Sequence, residues 1–121
     1  MRLIRWLAAV IFLLALAAFS VLPEPFKGLT STRGATHVAV HILAFLTAFL
    51  IAAGQSKTWN RMLLWAFPLV CFGAFLEILQ TVVYRNVRLE YGDIMEDAMG
   101  VAAGLCIVAS VRAWRSPIIE R

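Results

Sequence analysis

Four long apolar blocks constrain this sequence more than any other feature. They cover residues 4–22, 36–53, 62–83 and 94–111, and each is close to the roughly 17–25 residues that a helix needs to cross a bilayer core. The blocks show no alternation of apolar and polar residues, which excludes the strands of a membrane barrel. Since only helices and closed barrels satisfy backbone hydrogen bonds in lipid, the pattern predicts an all-α, polytopic membrane protein with four transmembrane helices.

The composition leaves little of the chain for anything else. Hydrophobic residues make up 62% of the 121 residues, against about 45–50% in a soluble globular domain. We therefore expect a single transmembrane domain over residues 1–121. The first block also resembles a signal peptide with a small-residue cleavage site at 15–17, but it is longer than the roughly 7–15 apolar residues of such a peptide. We expect it to be retained as a helix and to end at Pro23 and Pro25.

The basic residues flank the apolar blocks, so the net charge of +4 indicates membrane orientation rather than nucleic-acid binding. Seven of the 11 Lys and Arg residues lie at the two termini and in the middle loop. The other four lie in the two remaining loops, where acidic residues dilute them. Because cytoplasmic segments carry the excess of Lys and Arg, both termini are predicted to lie inside the cell. Trp6, Trp59 and Trp114 fall on that same side, as interfacial anchors do.

Carboxylates occur where a bilayer makes them costly. Glu77, Asp93, Glu96 and Asp97 lie within or against apolar segments, and ionisable groups in hydrocarbon usually face a partner or a cavity. With both termini inside, Glu77 and the first turn of the fourth helix lie at the outer face, as does His41 at the start of the second block. We therefore predict one polar cluster in the outer leaflet. Its predicted members are His41, Glu77, Gln80, Arg85, Arg88, Asp93 and Asp97.

Two interpretations of this cluster are open. In the first, Glu77 and Asp97 pair with the arginines or the histidines and only hold the helices together. In the second, Arg85 and Arg88 bind a phosphate or carboxylate through their planar guanidinium groups, and Glu77 acts as a base or proton carrier. No nucleophile elbow, phosphate-binding loop or Ser–His dyad is evident in the sequence, so enzymatic activity is left open.

A third interpretation is a metal site with His37, His41 and carboxylates as ligands. His37 and His41 are four residues apart, so they share one face of a helix. The spacing lacks the Glu of the His-Glu-x-x-His motif, and for that reason we predict no metal and no cofactor.

Small residues predict helix packing. Gly100-x-x-x-Gly104 is a pattern that lets membrane helices approach closely. Cys71 and Cys106 lie near the middle of two blocks, where we expect them to act as small apolar residues rather than as a disulfide.

The residues of the polar cluster resemble the VanZ-like family of small bacterial membrane proteins. That family's pattern is Glu-x-x-Gln late in one helix, a basic residue in a short loop, then Asp-x-x-x-Asn-x-x-Gly-x-x-x-Gly opening the next helix. Asp97 stands where the family usually has Asn, and His37 and Val38 replace an Asp-Lys pair often found before the histidine. The matching residues are Glu77, Gln80, Arg85 or Arg88, Asp93, Asp97, Gly100 and Gly104, together with an upstream histidine and aromatic residue, His41 and Phe45.

The resemblance implies a four-helix protein of the bacterial cytoplasmic membrane with a polar site at the outer leaflet. Such a protein would act in cell-envelope processes or in resistance to glycopeptides of the teicoplanin type. The expected partners are membrane lipid and a lipid-linked or anionic head group, without nucleic acid. Two alternatives remain. One is a small proton-coupled exporter with Glu77 as the proton carrier, and the other is a non-catalytic subunit that packs on another membrane protein through Gly100 and Gly104.

Overall fold

The computed structural model describes residues 2–22, 35–54, 56, 58–84 and 88–115. Within these residues the chain forms four α-helices: α1 (Arg2–Ser20), α2 (Ala35–Ala53), α3 (Trp59–Val83) and α4 (Tyr91–Arg115). No strand occurs in this part of the chain, so the all-α prediction is confirmed. The loop expected at 23–34 lies outside the described residues.

Three of the four helices are long and apolar enough to cross a membrane. The spans are Thr36–Ala53 in α2, Trp59–Val83 in α3 and Tyr91–Trp114 in α4. The apolar part of α1, Trp6–Ser20, is shorter than these three. Three of the four predicted spans, in α2, α3 and α4, are therefore matched by length and composition, and the one in α1 is not.

The outward faces of the helices carry large apolar side chains. On α3, Leu64 is 69% exposed and Phe67 is 75% exposed, and Val82 near the end of the helix is 70% exposed. A soluble monomer rarely leaves apolar faces of this extent in water. Their exposure is what lipid contact requires, and it supports the interpretation of the helices as membrane spans.

α2 lies at the centre of the bundle. It packs against the three other helices and most extensively against α4, whereas α1 packs only on α2 and α3 among the described residues. The inner face of α2 is apolar because its core residues recur at spacings of three and four, which places them on one side of the helix. The buried core consists of Phe45, Ala48, Phe49, Ala52 and Ala53 of α2, Met62, Leu69 and Leu76 of α3, and Val101 of α4.

Two glycines let α4 approach α2 closely. A Cβ atom at Gly100 would overlap the carbonyl oxygen of Ile42 and would lie 3.0 Å from the amide nitrogen of Leu46. At Gly104 a Cβ atom would lie 2.7 Å from Cδ1 of Phe49. Contacts advance in the same direction along both helices, so α2 and α4 run parallel. Glycine is needed at Gly100 because the neighbouring atoms are backbone, which cannot rotate away.

Candidate functional site

α2 and α4 begin at the same end of the bundle, and their first turns carry two pairs of polar side chains. His37 and His41 lie one turn apart on α2, and Asp93 and Asp97 have the same spacing on α4. Each histidine contacts the aspartate that lies 56 residues further along the chain. Parallel helices in register place equal spacings opposite one another. We call these four residues the His–Asp cluster.

The contacts within the His–Asp cluster link all four side chains. Nε2 of His37 lies 3.1 Å from Oδ2 of Asp93, and Nδ1 of His41 lies 2.8 Å from Oδ1 of Asp97. Nε2 of His41 also lies 3.7 Å from the same Oδ2 of Asp93. The two imidazole rings are 4.5 Å apart between centroids. His41 therefore lies between the two aspartates, with one ring nitrogen directed at each.

Burial increases steadily through the His–Asp cluster. The exposed fraction of the side chain is 35% at His37 and 21% at His41, and it falls to 11% at Asp93 and 2% at Asp97. The cluster is thus open at His37 and closed at Asp97. A ligand arriving from the end of the bundle would meet His37 first.

α3 makes room for the deepest carboxylate. A Cβ atom at Gly73 would overlap Oδ2 of Asp97 and would lie 3.1 Å from its Cβ and Cγ. Any larger residue at position 73 would have to displace Asp97. Since His41 contacts its other oxygen, Asp97 is held on both sides and in turn fixes the orientation of the imidazole.

Glu77 adds a third carboxylate from α3. It is 3% exposed, and its Oε2 accepts a 3.3 Å hydrogen bond from the backbone N–H of Glu90. Glu77 lies near enough to Asp93 and His41 for their charges to act on one another. A proton or a cation near the two carboxylates is favourable, because two bare carboxylates repel.

Glu96 lies on the other flank of the His–Asp cluster. Its charge acts on both His41 and Asp97. Its Oε2 atom is buried and has no hydrogen-bond partner among the described residues. Burying a carboxylate oxygen without a partner is costly, so a positive charge beside this oxygen would stabilise it.

Of the other predicted members of the cluster, Gln80 and Arg88 form no ion pair or hydrogen bond with the His–Asp cluster among the described residues. Gln80 faces α1, where its amide nitrogen donates a 2.8 Å hydrogen bond to Oγ of Ser20. Arg88 is exposed just before α4, and the ion pairs found among the described residues do not include it. Arg85 lies outside the described residues. The structure thus brings His41, Glu77, Asp93 and Asp97 together, and it pairs the two aspartates with histidines.

Two residues at this site were not among the predicted members. His37 and Glu96 stand beside the others because the helix register brings them there. The sequence did hold a signal for His37. The histidines of one helix and the aspartates of another share the same spacing of four residues, as expected for two parallel helices in register.

Neither a family model, nor the sequence of a characterised protein, nor a solved structure matches this chain. The likeness to VanZ-like proteins therefore stays a prediction from the residues that carry it.

Proposed function

We propose that this chain is a multi-pass protein of the bacterial cytoplasmic membrane that acts, as VanZ-like proteins do, at the outer surface of the cell envelope. The observation that supports the proposal is the convergence of His41, Glu77, Asp93 and Asp97 at one end of three apolar helices. Ionisable side chains at membrane depth are costly and generally mark ligand or ion sites. The cluster is that site.

The orientation comes from the distribution of Lys and Arg. With the basic termini in the cytoplasm, the starts of α2 and α4 face outward, and so does the His–Asp cluster. Arg88 is then exposed at the outer surface, where a guanidinium group can bind the phosphate of an anionic or lipid-linked head group. Glycopeptides and their lipid-linked targets are found at this surface, so an outward-facing site would suit the role that the resemblance implies.

A resistance assay tests the function. The wild-type chain, expressed in a teicoplanin-sensitive host, is expected to raise the minimal inhibitory concentration. Glu77→Gln and Asp93→Asn are each expected to return it to the level of the empty vector, because each removes a charge from the buried site. Immunoblots of the membrane fraction verify that the variants insert.

Glu90→Gln is the matched control. It removes the same charge from an exposed side chain. It also keeps the backbone N–H of residue 90, which donates a hydrogen bond to Glu77, so resistance should be retained. The proposal fails if the wild-type chain confers no resistance, or if Glu77→Gln and Asp93→Asn both retain it in full.

A labelling experiment tests the orientation. A single cysteine at Arg88, in a chain with Cys71 and Cys106 replaced by Ala, should react with a membrane-impermeant maleimide on intact cells. Reaction only after the cells are opened would place this end of the bundle in the cytoplasm and contradict an outer-leaflet site. The exporter and partner-subunit alternatives stay predictions, since no contact among the described residues favours either.

A further inference from the structure

We propose that His37, His41 and Asp93 bind a divalent transition-metal ion, with Zn²⁺ as the best fit to the donor set. One ligand atom of each side chain lies within 4.8 Å of the other two. The inference goes beyond the proposed envelope function and does not depend on it. It also revises the sequence prediction of no metal, because the structure places Asp93 beside both histidines.

Two of the three distances between the donor atoms are close to those of a tetrahedral ion, and the third is no more than 4.8 Å. With Zn–ligand bonds of about 2.0–2.1 Å, two ligands of a tetrahedral ion are about 3.3 Å apart. Oδ2 of Asp93 lies 3.1 Å from Nε2 of His37 and 3.7 Å from Nε2 of His41, so the two distances bracket that value. A small movement of side chains would bring all three atoms into coordination.

The second contact of His41 is the one that a metal ligand usually makes. Its Nδ1 lies 2.8 Å from Oδ1 of Asp97. An ionised Asp97 can only accept a hydrogen bond, so it accepts from Nδ1–H, and in the neutral imidazole the lone pair then lies on Nε2, on the side of Asp93. Metal-binding histidines commonly donate their other N–H to a carboxylate, which fixes the tautomer and orients the ring.

The charge of the site calls for a cation. Glu77, Asp93, Glu96 and Asp97 gather around two histidines, and within the described ranges the ion pairs of the two aspartates are with histidine alone. The buried Oε2 of Glu96 without a partner is an independent sign of the same deficit. A divalent ion would offset this charge, including the repulsion between the carboxylates of Glu77 and Asp93.

The donor set distinguishes between metals. Two imidazole nitrogens favour Zn²⁺ and its transition-metal neighbours over Mg²⁺ and Ca²⁺, which prefer oxygen ligands. Three protein ligands leave a fourth position open, as in zinc sites that bind a water or a ligand. The partial exposure of His37 places that open position toward the end of the bundle.

Zinc binding to the purified protein tests the proposal. The full chain, carrying a purification tag without histidine, is extracted in detergent, treated with a chelator and titrated with Zn²⁺ alone. We expect saturable binding of about one ion per chain, measured by calorimetry and by elemental analysis after gel filtration. Co²⁺ should give the visible absorption bands of a four-coordinate site.

Variants assign the ligands. His41→Ala and Asp93→Asn should lower Zn²⁺ affinity by more than about tenfold, and Asp97→Asn, which acts only through His41, by about 10–100-fold. If substitution of a more buried residue prevents folding, His37→Asn replaces it in the test, since His37 is the most exposed ligand. Glu90→Gln should bind as the wild-type chain does.

Two results would overturn the proposal. One is no saturable Zn²⁺ binding by the folded wild-type chain, and the other is wild-type affinity in all three of His37→Asn, His41→Ala and Asp93→Asn. In either case the His–Asp cluster is a set of ion pairs that needs no metal. Because the assay measures binding on purified protein, its outcome is separate from that of the resistance assay.

Discussion

The two ends of the α2–α4 pair share one register and differ in charge. At the end where both helices begin, the His–Asp cluster joins residues that are 56 positions apart. At the other end, a guanidinium nitrogen of Arg112 donates a 2.9 Å hydrogen bond to the carbonyl oxygen of Ser56, again 56 positions away. The same guanidinium lies 5.5 Å from the centre of the Trp59 ring. One register therefore places cation, carbonyl and aromatic ring at one end, and acids with histidines at the other.

The difference separates stabilisation from function. At the arginine end, one cation meets one carbonyl oxygen and one ring face, which satisfies its charge and covers an apolar surface. At the cluster end, acids outnumber the side chains that can neutralise them. Apolar residues would stabilise a buried helix contact at least as well as ion pairs. We infer that the excess of acid serves a bound cation, and that the arginine end serves the fold.

Disturbing the shared register at Gly100 should have the largest effect on stability. In Gly100→Ala the new Cβ meets the backbone of Ile42 and Leu46, so α2 and α4 must separate. Overpacking costs typically about 1–3 kcal/mol, and we expect the upper part of that range. Because the separation also moves the histidines from the aspartates, Zn²⁺ affinity should fall together with the free energy of unfolding in detergent.

Substitutions at two other glycines of the chain serve as comparisons for Gly100→Ala. Gly104→Ala meets the side chain of Phe49 rather than backbone, and it should cost less than Gly100→Ala. At Gly92 a Cβ atom would meet nothing within 4 Å, so Gly92→Ala should be neutral or up to about 1 kcal/mol more stable, since alanine favours helix. Equal losses at all three positions would show that close helix contact is not the cause.

Removing the cation at the opposite end should have a smaller and purely structural effect. Arg112→Met keeps an apolar stem and removes both the hydrogen bond to Ser56 and the guanidinium over the Trp59 ring. We expect a loss of about 1 kcal/mol, the size of a cation–π contact together with a partly exposed hydrogen bond. Zn²⁺ affinity should not change. Arg61→Met, which removes an exposed charge two residues after Trp59, is the control and should leave the free energy of unfolding unchanged.

A fall in Zn²⁺ affinity in Arg112→Met as large as that in a cluster variant would contradict the comparison. It would mean that the two ends are coupled through the helices and that the arginine end also serves binding.

The sequence predicted the helices better than their contacts. Apolar blocks identify membrane helices because transfer into lipid depends mainly on composition. Two helices extend beyond their blocks: α3 begins at Trp59 and α4 runs over Tyr91–Arg115, against predicted blocks of 62–83 and 94–111. By contrast, α1 ends at Ser20, two residues before the end of its predicted block 4–22. Polar residues continue a helix at its ends, since the backbone hydrogen bonds do not require apolar side chains.

The site was predictable in its members and not in its pairing. Acids within apolar blocks identify Glu77, Asp93 and Asp97 from the sequence alone. Which groups they meet depends on the register of α2 against α4, and that register follows from how closely Gly100 lets the backbones approach. The Gly100-x-x-x-Gly104 pattern indicates a close approach but not which residues of α2 lie opposite. Arginines and histidines were therefore both left open as partners of the acids, and the structure pairs the two aspartates with histidines.

Substitution of Gln80 tests how far along α3 the residues that affect cation binding extend. It lies one turn after Glu77 on α3, yet it bonds to Ser20 of α1 and not to the His–Asp cluster. Gln80→Leu should cost only about 0.6 kcal/mol, as hydrogen bonds between membrane helices usually do. Ser20→Ala removes the same bond and should cost the same. The double variant should be no worse than either one, as measured in a double-mutant cycle of unfolding in detergent. Zn²⁺ affinity should stay at the wild-type value in all three. A tenfold loss of affinity in Gln80→Leu that Ser20→Ala does not share would show that Gln80 acts on the cation site. It would then belong to the polar cluster in which the sequence placed it, and the cluster end would extend by one helical turn along α3.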